Sequence, residues 1–570
     1  MAELKETVPL RTAPFAKEAK GKELDLVPFL VGFLAIAAFL PGLGSYKMLD
    51  PTDSFFVETG REMLVGHHYL TALFNYADWF DKPAFPFFLI VLSYKIFGVS
   101  EWAARLPSAL SAIALTVYTY TSTAKILGRR TGFLAGVILV SCPLFSAVGH
   151  LALSDQPLTF FLGVALLGFA QTLVSEKRQP LLLAYLGLAL AVLCKGPLGL
   201  VVSVGVVGTY LLVAYGITAQ AVNKCRRLRL FTGLAILLIV CLPYYVLAHT
   251  ATDGAFSREF FLHQNLGRFE GTVNHQQPVF WYVPIFLAGF FPWTIFVLGG
   301  VPWFKSLWKE RRQEEMGQSF LLFCLVWITF VFFFFSAIPT KLPTYILSMS
   351  PAMAIVAAAY LDRLVIGGQR RSLAVSASLV LSVALIGLAV IACSRQSAYF
   401  LTQAITLSAV LAIVMLILPV VLSWAGRCGA AVWTLALAGY LGCSLLVPLS
   451  FQRFYEIHQA PVEKLIKLAK TRGATLATLF STVPSAVFLY EKRIESLNSL
   501  AEVKDFSEKG RAPHYLLATS NCLKIPELKA AERLIDQAGK WYLLSVDHFG
   551  DKSPSSANPE KQLPMVTSDR

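Results

Sequence analysis

Charged side chains are scarce in this chain: 15% of its 570 residues are Asp, Glu, Lys or Arg, where soluble domains run near about 25%. That is too little charge to clothe a water-facing surface, and 56% of the residues are apolar before glycine is counted. A soluble globular protein is therefore not expected. A mean hydropathy of +0.60 calls instead for many stretches of about 20 apolar residues, the length with which a helix crosses the hydrocarbon core. Acid is the scarcer sign, with 35 Asp and Glu against 49 Lys and Arg. The resulting charge of +14 does not point to nucleic acid, because the basic residues sit in short clusters between apolar runs, the positive-inside pattern of membrane loops. Cysteine spacing is uninformative too. The nine cysteines form no CxxC or Cys/His pattern; eight, such as Cys142, Cys194 and Cys443, lie in or beside apolar runs and read as small core residues. Cys522 stands alone in the polar tail, without a disulfide partner there. No small-residue cleavage site follows the first apolar run, at about 26–43, which reads as a retained span with a cytoplasmic N-terminus.

Thirteen further apolar runs follow, at roughly 84–98, 103–124, 132–150, 157–174, 180–194, 197–215, 230–249, 279–300, 318–337, 344–361, 372–393, 402–424 and 430–449. The basic clusters Lys125/Arg129/Arg130, Lys177/Arg178, Lys224/Arg226/Arg227/Arg229, Lys305/Lys309/Arg311/Arg312 and Arg363/Arg370/Arg371 are each separated by two runs, as a shared cytoplasmic side requires. Three runs precede Lys125, however, so one of them cannot cross. The weakest is 84–98, a helix of only about 22 Å, which is expected to lie along the membrane surface and to leave about 13 spans. The segments 44–102, 151–156, 250–278 and 338–343 and the tail from Phe451 then share the outer face. In that tail Ala474–Phe480, Arg493–Leu497, His514–Thr519 and Trp541–Val546 read as short strands, and Ile525–Ala538 reads as a helix. The expected organisation is a cytoplasmic tail at 1–25, an all-α polytopic membrane domain at 26–450, a small extracytoplasmic α/β domain at 451–552 and a disordered tail at 553–570. No internal repeat is visible, which disfavours transporter folds built from two related halves.

The outer segments hold the unusual chemistry. Asp53 or Thr52 can cap a helix whose apolar face is Phe56, Val57, Met63 and Leu64. Asp81-Lys82-Pro83 forms an acid–base turn ahead of the short run. Asp155 is again placed as a helix cap, while Lys195 and Lys341 have the ordinary reading of interfacial lysines snorkelling to water. Residues 250–278 gather Arg258, Glu259, His263, Asn265, Arg268, Glu270 and His275. Parity puts all of these on one side, where cations can neutralise a phosphate and a carboxylate can take a proton from an attacking hydroxyl.

Asp53 with Glu58 and Arg61-Glu62-Met63-Leu64, Asp81-Lys82-Pro83, Gly98-Val99-Ser100-Glu101 with Arg105-Leu106-Pro107, Asp155, Lys195-Gly196-Pro197, Arg268-Phe269 with His275 and Pro278, and Lys341-Leu342-Pro343-Thr344-Tyr345 occur in order through 27–450. This set resembles the protein mannosyltransferase-like membrane glycosyltransferases, particularly the branch that transfers aminoarabinose to lipid A. The resemblance implies a GT-C fold with 13 spans and inverting transfer of a sugar from a polyprenyl (undecaprenyl) phosphate donor at the outer, periplasmic face of the inner membrane. The acceptor it implies is an envelope lipid or glycan such as lipid A. By position Asp53 matches the catalytic carboxylate and Asp155 the second acidic residue, while Lys82, Arg268 and Lys341 match the basic groups around the donor phosphate. Asp81 and His263 match a pair that holds a metal in that branch, so a divalent ion, zinc or magnesium, is an expectation of the resemblance. The chain departs from the family at Ser54, where Glu is usual, and at Phe56, where Arg is frequent. Two other readings remain at this point: a protein O-glycosyltransferase of the same fold, and a transporter or flippase of lipid-linked sugars. The latter usually keeps its ionisable residues at the bilayer midplane, whereas the acids here fall at span ends.

Overall fold

The computed structural model describes residues 26–175, 180–270, 276–310, 315–393, 417–480, 483–509, 513–525, 528, 533–547 and 549. The expected tails at 1–25 and 553–570, most of the run at 402–424, and His275 lie outside the described residues. The chain gathers into two compact units, one made of Met1–Leu43, Phe80–Leu89 and Arg105–Pro448, the other of Gly44–Trp79, Ile90–Ala104 and Leu449–Arg570.

The first unit is built of apolar helices. Among the described residues of the chain, six helices are long and apolar enough to cross a membrane, and eight if each of two bent pairs is one span. The bent pairs correspond to the apolar runs 132–150 and 279–300. Arg129–Val140 turns by 64° into Pro143–Gly149, and Val279–Gly289 by 111° into Trp293–Gly299. Each break carries a proline, Pro143 and Pro292, which has no N–H for the helical ladder and collides with the preceding turn. The Phe85–Phe97 helix, 13 residues, is about 20 Å long, well short of the hydrocarbon core.

One helix pair positions the chemistry. Asp155–Ser175 and Pro180–Lys195 run back to back through a connection of four residues. Small residues let them approach: a Cβ on Gly168 would come within 2.7 Å of the Ala184 Cβ, and one on Gly187 within 2.8 Å of the Phe161 carbonyl. An antiparallel pair brings the first residue of one helix, Asp155, beside the last of the other, Lys195.

In the second unit the Thr52–Val65 helix is followed by a hairpin of β1 (Ala72–Phe74) and β2 (Ala77–Trp79). Asn75 and Tyr76 between them both take positive φ, 54° and 60°, the left-handed pair that matches strand twist in a two-residue turn. A five-stranded sheet follows, of order β4-β3-β5-β7-β6, with β3 Thr475–Leu479, β4 Glu495–Leu497, β5 His514–Thr519, β6 Arg533–Ala538 and β7 Trp541–Ser545. β3 is parallel to β4 and β5, whereas β7 is antiparallel to β5 and β6. Successive residues face opposite sides of a strand, and two cores result. Leu476, Leu517 and Leu543 pack with Leu465, Ile466 and Ala486 on one face. Ala477, Leu516 and Leu544 pack with Val503, Phe506 and the free, buried Cys522 on the other.

The helix expected at Ile525–Ala538 is a correction. Its C-terminal half, Arg533–Ala538, is the edge strand β6, joined to β7 through Gly539 at φ +61°. Leu534 and Ile535 mimic helical spacing with Leu528, but the cross-strand pairing with Trp541–Ser545 outweighs that local signal, and a register shift between Leu534 and Asp536 accommodates the irregular pattern.

Candidate functional site

In the first unit the Asp81-Lys82-Pro83 turn is tied down by Ala84, whose backbone N–H donates to the Tyr244 hydroxyl at 2.7 Å. The Asp81 carboxylate receives two cations, Lys82 Nζ at 3.0 Å and Arg268 Nη2 at 3.2 Å. Burial pushes the Asp81 carboxyl up, but the two cations outweigh it and hold it below the usual range. Arg268 also donates to the Tyr345 hydroxyl at 2.9 Å and to Gln264 Oε1 at 3.3 Å. Gln264 is fixed in turn by donating to Glu259 Oε1 at 2.9 Å.

Arg268 follows a π-helical stretch, Arg258–Leu266, a wide turn that recurs at functional sites. Phe256 and Phe260 from this region stack on Tyr245, and Phe260 lies against Gly196. A Cβ there would stand 2.4 Å from the Phe260 ring, and Gly196 has φ +70°, so glycine is required for both reasons.

The second pair is Asp155 and Lys195, 2.6 Å apart. Lys195 Nζ also lies 4.8 Å from the centre of the Tyr345 ring. Tyr345 therefore serves both clusters, its hydroxyl toward Arg268 and its face toward Lys195. Asp155, Lys195, Thr344 and Tyr345 form the polar end of a narrow cavity of about 10 Å³, room for about one water, whose walls continue through Leu158, Leu162, Val202 and Phe335.

Lys341 behaves differently. Only 2% exposed, it donates its ammonium hydrogens to the carbonyls of Gln277, Ile338 and Pro339. These carbonyls flank a short pairing of Gln276 with Thr340 and of Gln277 N–H with the Pro339 carbonyl.

Asp53 lies in the second unit. It is buried, and its Oδ2 accepts the Leu49 N–H at 3.1 Å. The N-cap position falls on Pro51 and no side chain caps the helix, which corrects the capping reading of Asp53 and Thr52. Ser54 donates its hydroxyl to the Asp50 carboxylate.

The structure thus brings Asp81, Lys82 and Arg268 together, pairs Asp155 with a lysine rather than leaving it a cap, and turns Lys195 and Lys341 inward rather than toward water. Tyr345 and Lys195 were absent from the site inferred from sequence. Their signal was position: Tyr345 closes the Lys341–Tyr345 motif and Lys195 ends an apolar helix before Gly196-Pro197. His263 is exposed on the π-helix, and among the described residues no group of three or more His, Cys, Asp or Glu is arranged to hold a metal. With Asp81 already bearing two cations, this donor set does not fit a metal site.

Residues 81–246 match the model of the family described as dolichyl-phosphate-mannose-protein mannosyltransferase. A protein of Aquifex aeolicus (strain VF5), described as uncharacterized, is 29% identical over 340 residues, 60% of this chain and 63% of its own. The undecaprenyl phosphate-alpha-4-amino-4-deoxy-L-arabinose arabinosyl transferase of Yersinia pestis (strain Pestoides F) is 30% identical over 338 residues, 58% of each chain. The chain thus spans about three fifths of the length of the curated relatives it matches. The crystal structure of ArnT from Cupriavidus metallidurans bound to undecaprenyl phosphate shares the fold. It has a TM-score of 0.76 at 21% identity, over 92% of this chain and 99% of that one. The resemblance read from the motifs is borne out by these matches.

Proposed function

We propose that this chain is a polytopic membrane glycosyltransferase that moves a sugar from undecaprenyl phosphate to an acceptor of the cell envelope, lipid A or another glycan. The observation that carries the reading is the convergence of Lys82 and Arg268 on one carboxylate at a partly open face, with side-chain exposures of 19% and 24%. Two cations held ready by Asp81 suit a phosphate, which accepts charge-assisted hydrogen bonds from both. Support comes from the arabinosyl transferase of Yersinia pestis and from the ligand of the Cupriavidus ArnT structure, undecaprenyl phosphate.

In the proposed reaction an acceptor hydroxyl attacks the anomeric carbon as the bond from that carbon to the phosphate oxygen breaks. Configuration inverts, and the polyprenyl phosphate leaves with the electron pair. Asp53 takes the hydroxyl proton. Lys82 and Arg268 stabilise the charge that grows on the phosphate, Tyr345 orients Arg268, and the Asp155–Lys195 pair supports the Tyr345 ring from its face. The buried Lys341 is assigned to the loop it holds rather than to the donor phosphate. In this reading the chain has about 13 spans, and both the site and the C-terminal sheet domain face the periplasm, outside the inner membrane.

Mass spectrometry of envelope lipids, with and without the protein, tests the reading. One acceptor should lose a pentose, hexose or aminosugar increment, and an unchanged lipid and glycan profile would refute it. Asp53→Asn should lower transfer by about 10²- to 10⁴-fold, the usual cost of losing a general base, while undecaprenyl phosphate still binds.

A further inference from the structure

Asp50, three residues before the proposed base, is held from 435 positions away in sequence. Its Oδ1 accepts the Ser485 N–H at 2.9 Å and its Oδ2 accepts the Ser485 hydroxyl. Ser54 donates its hydroxyl to the same carboxylate. Asp53 closes the segment from the other side by accepting the Leu49 N–H, so residues 49–54 form one hydrogen-bonded knot with outer attachments to Ser485 and to the Gln459 side chain, which bonds to the Asp50 backbone.

A second attachment lies beyond the far end of the helix. The Asn75 side chain pairs with the Ile494 backbone in both directions, donating to its carbonyl at 2.7 Å and accepting its N–H at 2.9 Å. The hairpin carrying Asn75 is fastened to the helix by the Tyr76 N–H, which donates to Glu62 Oε2 at 2.8 Å. Arg61 joins them, bonded to Glu58 and to the Tyr76 hydroxyl, with its guanidinium 5.9 Å from the Phe488 ring. Residues from the C-terminal segment thus hold the two stretches that flank the Thr52–Val65 helix, at Asp50 before it and at Asn75 after it.

We infer that the 449–570 segment is a positioning element of the transfer reaction, with Ser485 and Asn75 as the positioning residues that set where the Asp53 carboxylate stands. The inference rests on Asp53 being the base. A bidentate side-chain pair beyond one end and a carboxylate fully engaged before the other restrain the helix from both flanks. General-base catalysis needs that restraint, because a displacement of about 1 Å can cost about a hundredfold in rate.

The test separates transfer from binding. Ser485→Ala and Asn75→Ala should each lower the rate of sugar addition in membranes about tenfold per molecule of protein. Affinity of the purified protein for undecaprenyl phosphate, used alone as probe, should stay within twofold of wild type, as should the amount of folded protein. Ser485→Thr keeps the hydroxyl and should restore the rate. Unchanged transfer in both Ala variants would overturn the inference, and so would transfer and phosphate binding falling in step with loss of folded protein. Asp53→Asn is run alongside: wild-type transfer there would remove the base assignment, whereas abolished transfer there with undiminished transfer in Ser485→Ala and Asn75→Ala would remove only the positioning role.

Discussion

Lys82 and Lys341 are both lysines in short turns ahead of apolar helices, both in the helical unit, and their ammonium groups meet opposite surroundings. Lys82 keeps 19% of its side chain exposed and shares the Asp81 carboxylate with Arg268. Lys341 is 2% exposed and donates to three backbone carbonyls. A cation resting on a carboxylate at an open face can accept a phosphate as a second anion, since the charge stays compensated throughout. A cation sealed onto carbonyls cannot turn away without taking its donor from the Ile338 and Gln277 oxygens, while the Pro339 oxygen keeps the Gln277 N–H. Of the three basic residues that the family resemblance assigns to the donor phosphate, Lys82 and Arg268 share a carboxylate at a partly open face and Lys341 is bonded to backbone carbonyls of its own loop and of Gln277.

The strongest way to break this comparison is to remove the buried member. Lys341→Met should strongly destabilise the protein, because the Ile338 and Gln277 carbonyls each lose a donor, at about 1–3 kcal/mol for a buried group. A normal thermal midpoint and yield, combined with lost undecaprenyl phosphate binding, would return Lys341 to the phosphate. Arg268→Ala should instead leave the midpoint nearly unchanged and weaken undecaprenyl phosphate binding about tenfold to hundredfold, the equivalent of a charge-assisted bond of roughly 1.5–3 kcal/mol. Arg268→Lys should recover little of this, because a point charge cannot serve the Tyr345 hydroxyl and an anion at once. Lys82→Gln is expected to cost about tenfold, less than Arg268→Ala, since a single ammonium is lost and Arg268 remains on Asp81. Equal affinity in wild type and Lys82→Gln would mean that Lys82 only anchors its turn.

A separate effect, read as a pH slope, concerns an acid in the other unit. Burial pushes the Glu58 carboxyl up to about 8 against its pairing with Arg61, and neighbouring Glu62 adds to the rise. A carboxyl whose folded value is raised binds its proton more tightly in the native state, so its contribution is full below the ordinary value of 4.5. The contribution fades as pH climbs toward about 8. The thermal midpoint should thus fall between pH 5 and 8, by at most about 1.4 kcal/mol of stability per pH unit, and Glu58→Gln should flatten that slope. A midpoint that stays flat across this window would show Glu58 to be an ionised partner of Arg61 throughout.

Much of the architecture could be read locally. The apolar runs at 157–174 and 180–194 coincide with the Asp155–Ser175 and Pro180–Lys195 helices, and alternation located β3, β4, β5 and β7 to within a residue or two. β6 was misread because an edge strand buries little and its pattern carries no clean period of two. The site was legible as a set of residues through their motifs, but not as a set of pairs: nothing near Lys195 in sequence marks Asp155 as its partner, 40 positions earlier.

What the sequence determined by itself was the class of molecule and the place of its elements, since hydrophobic length and periodicity are properties of contiguous residues. Tertiary structure alone decided that Asp155 faces Lys195, that Lys341 is buried on carbonyls, and that Ser485 holds Asp50. The physical reason is that the state of a charge depends on which distant segments exclude water from it and which dipoles they present, and only folding brings those segments together.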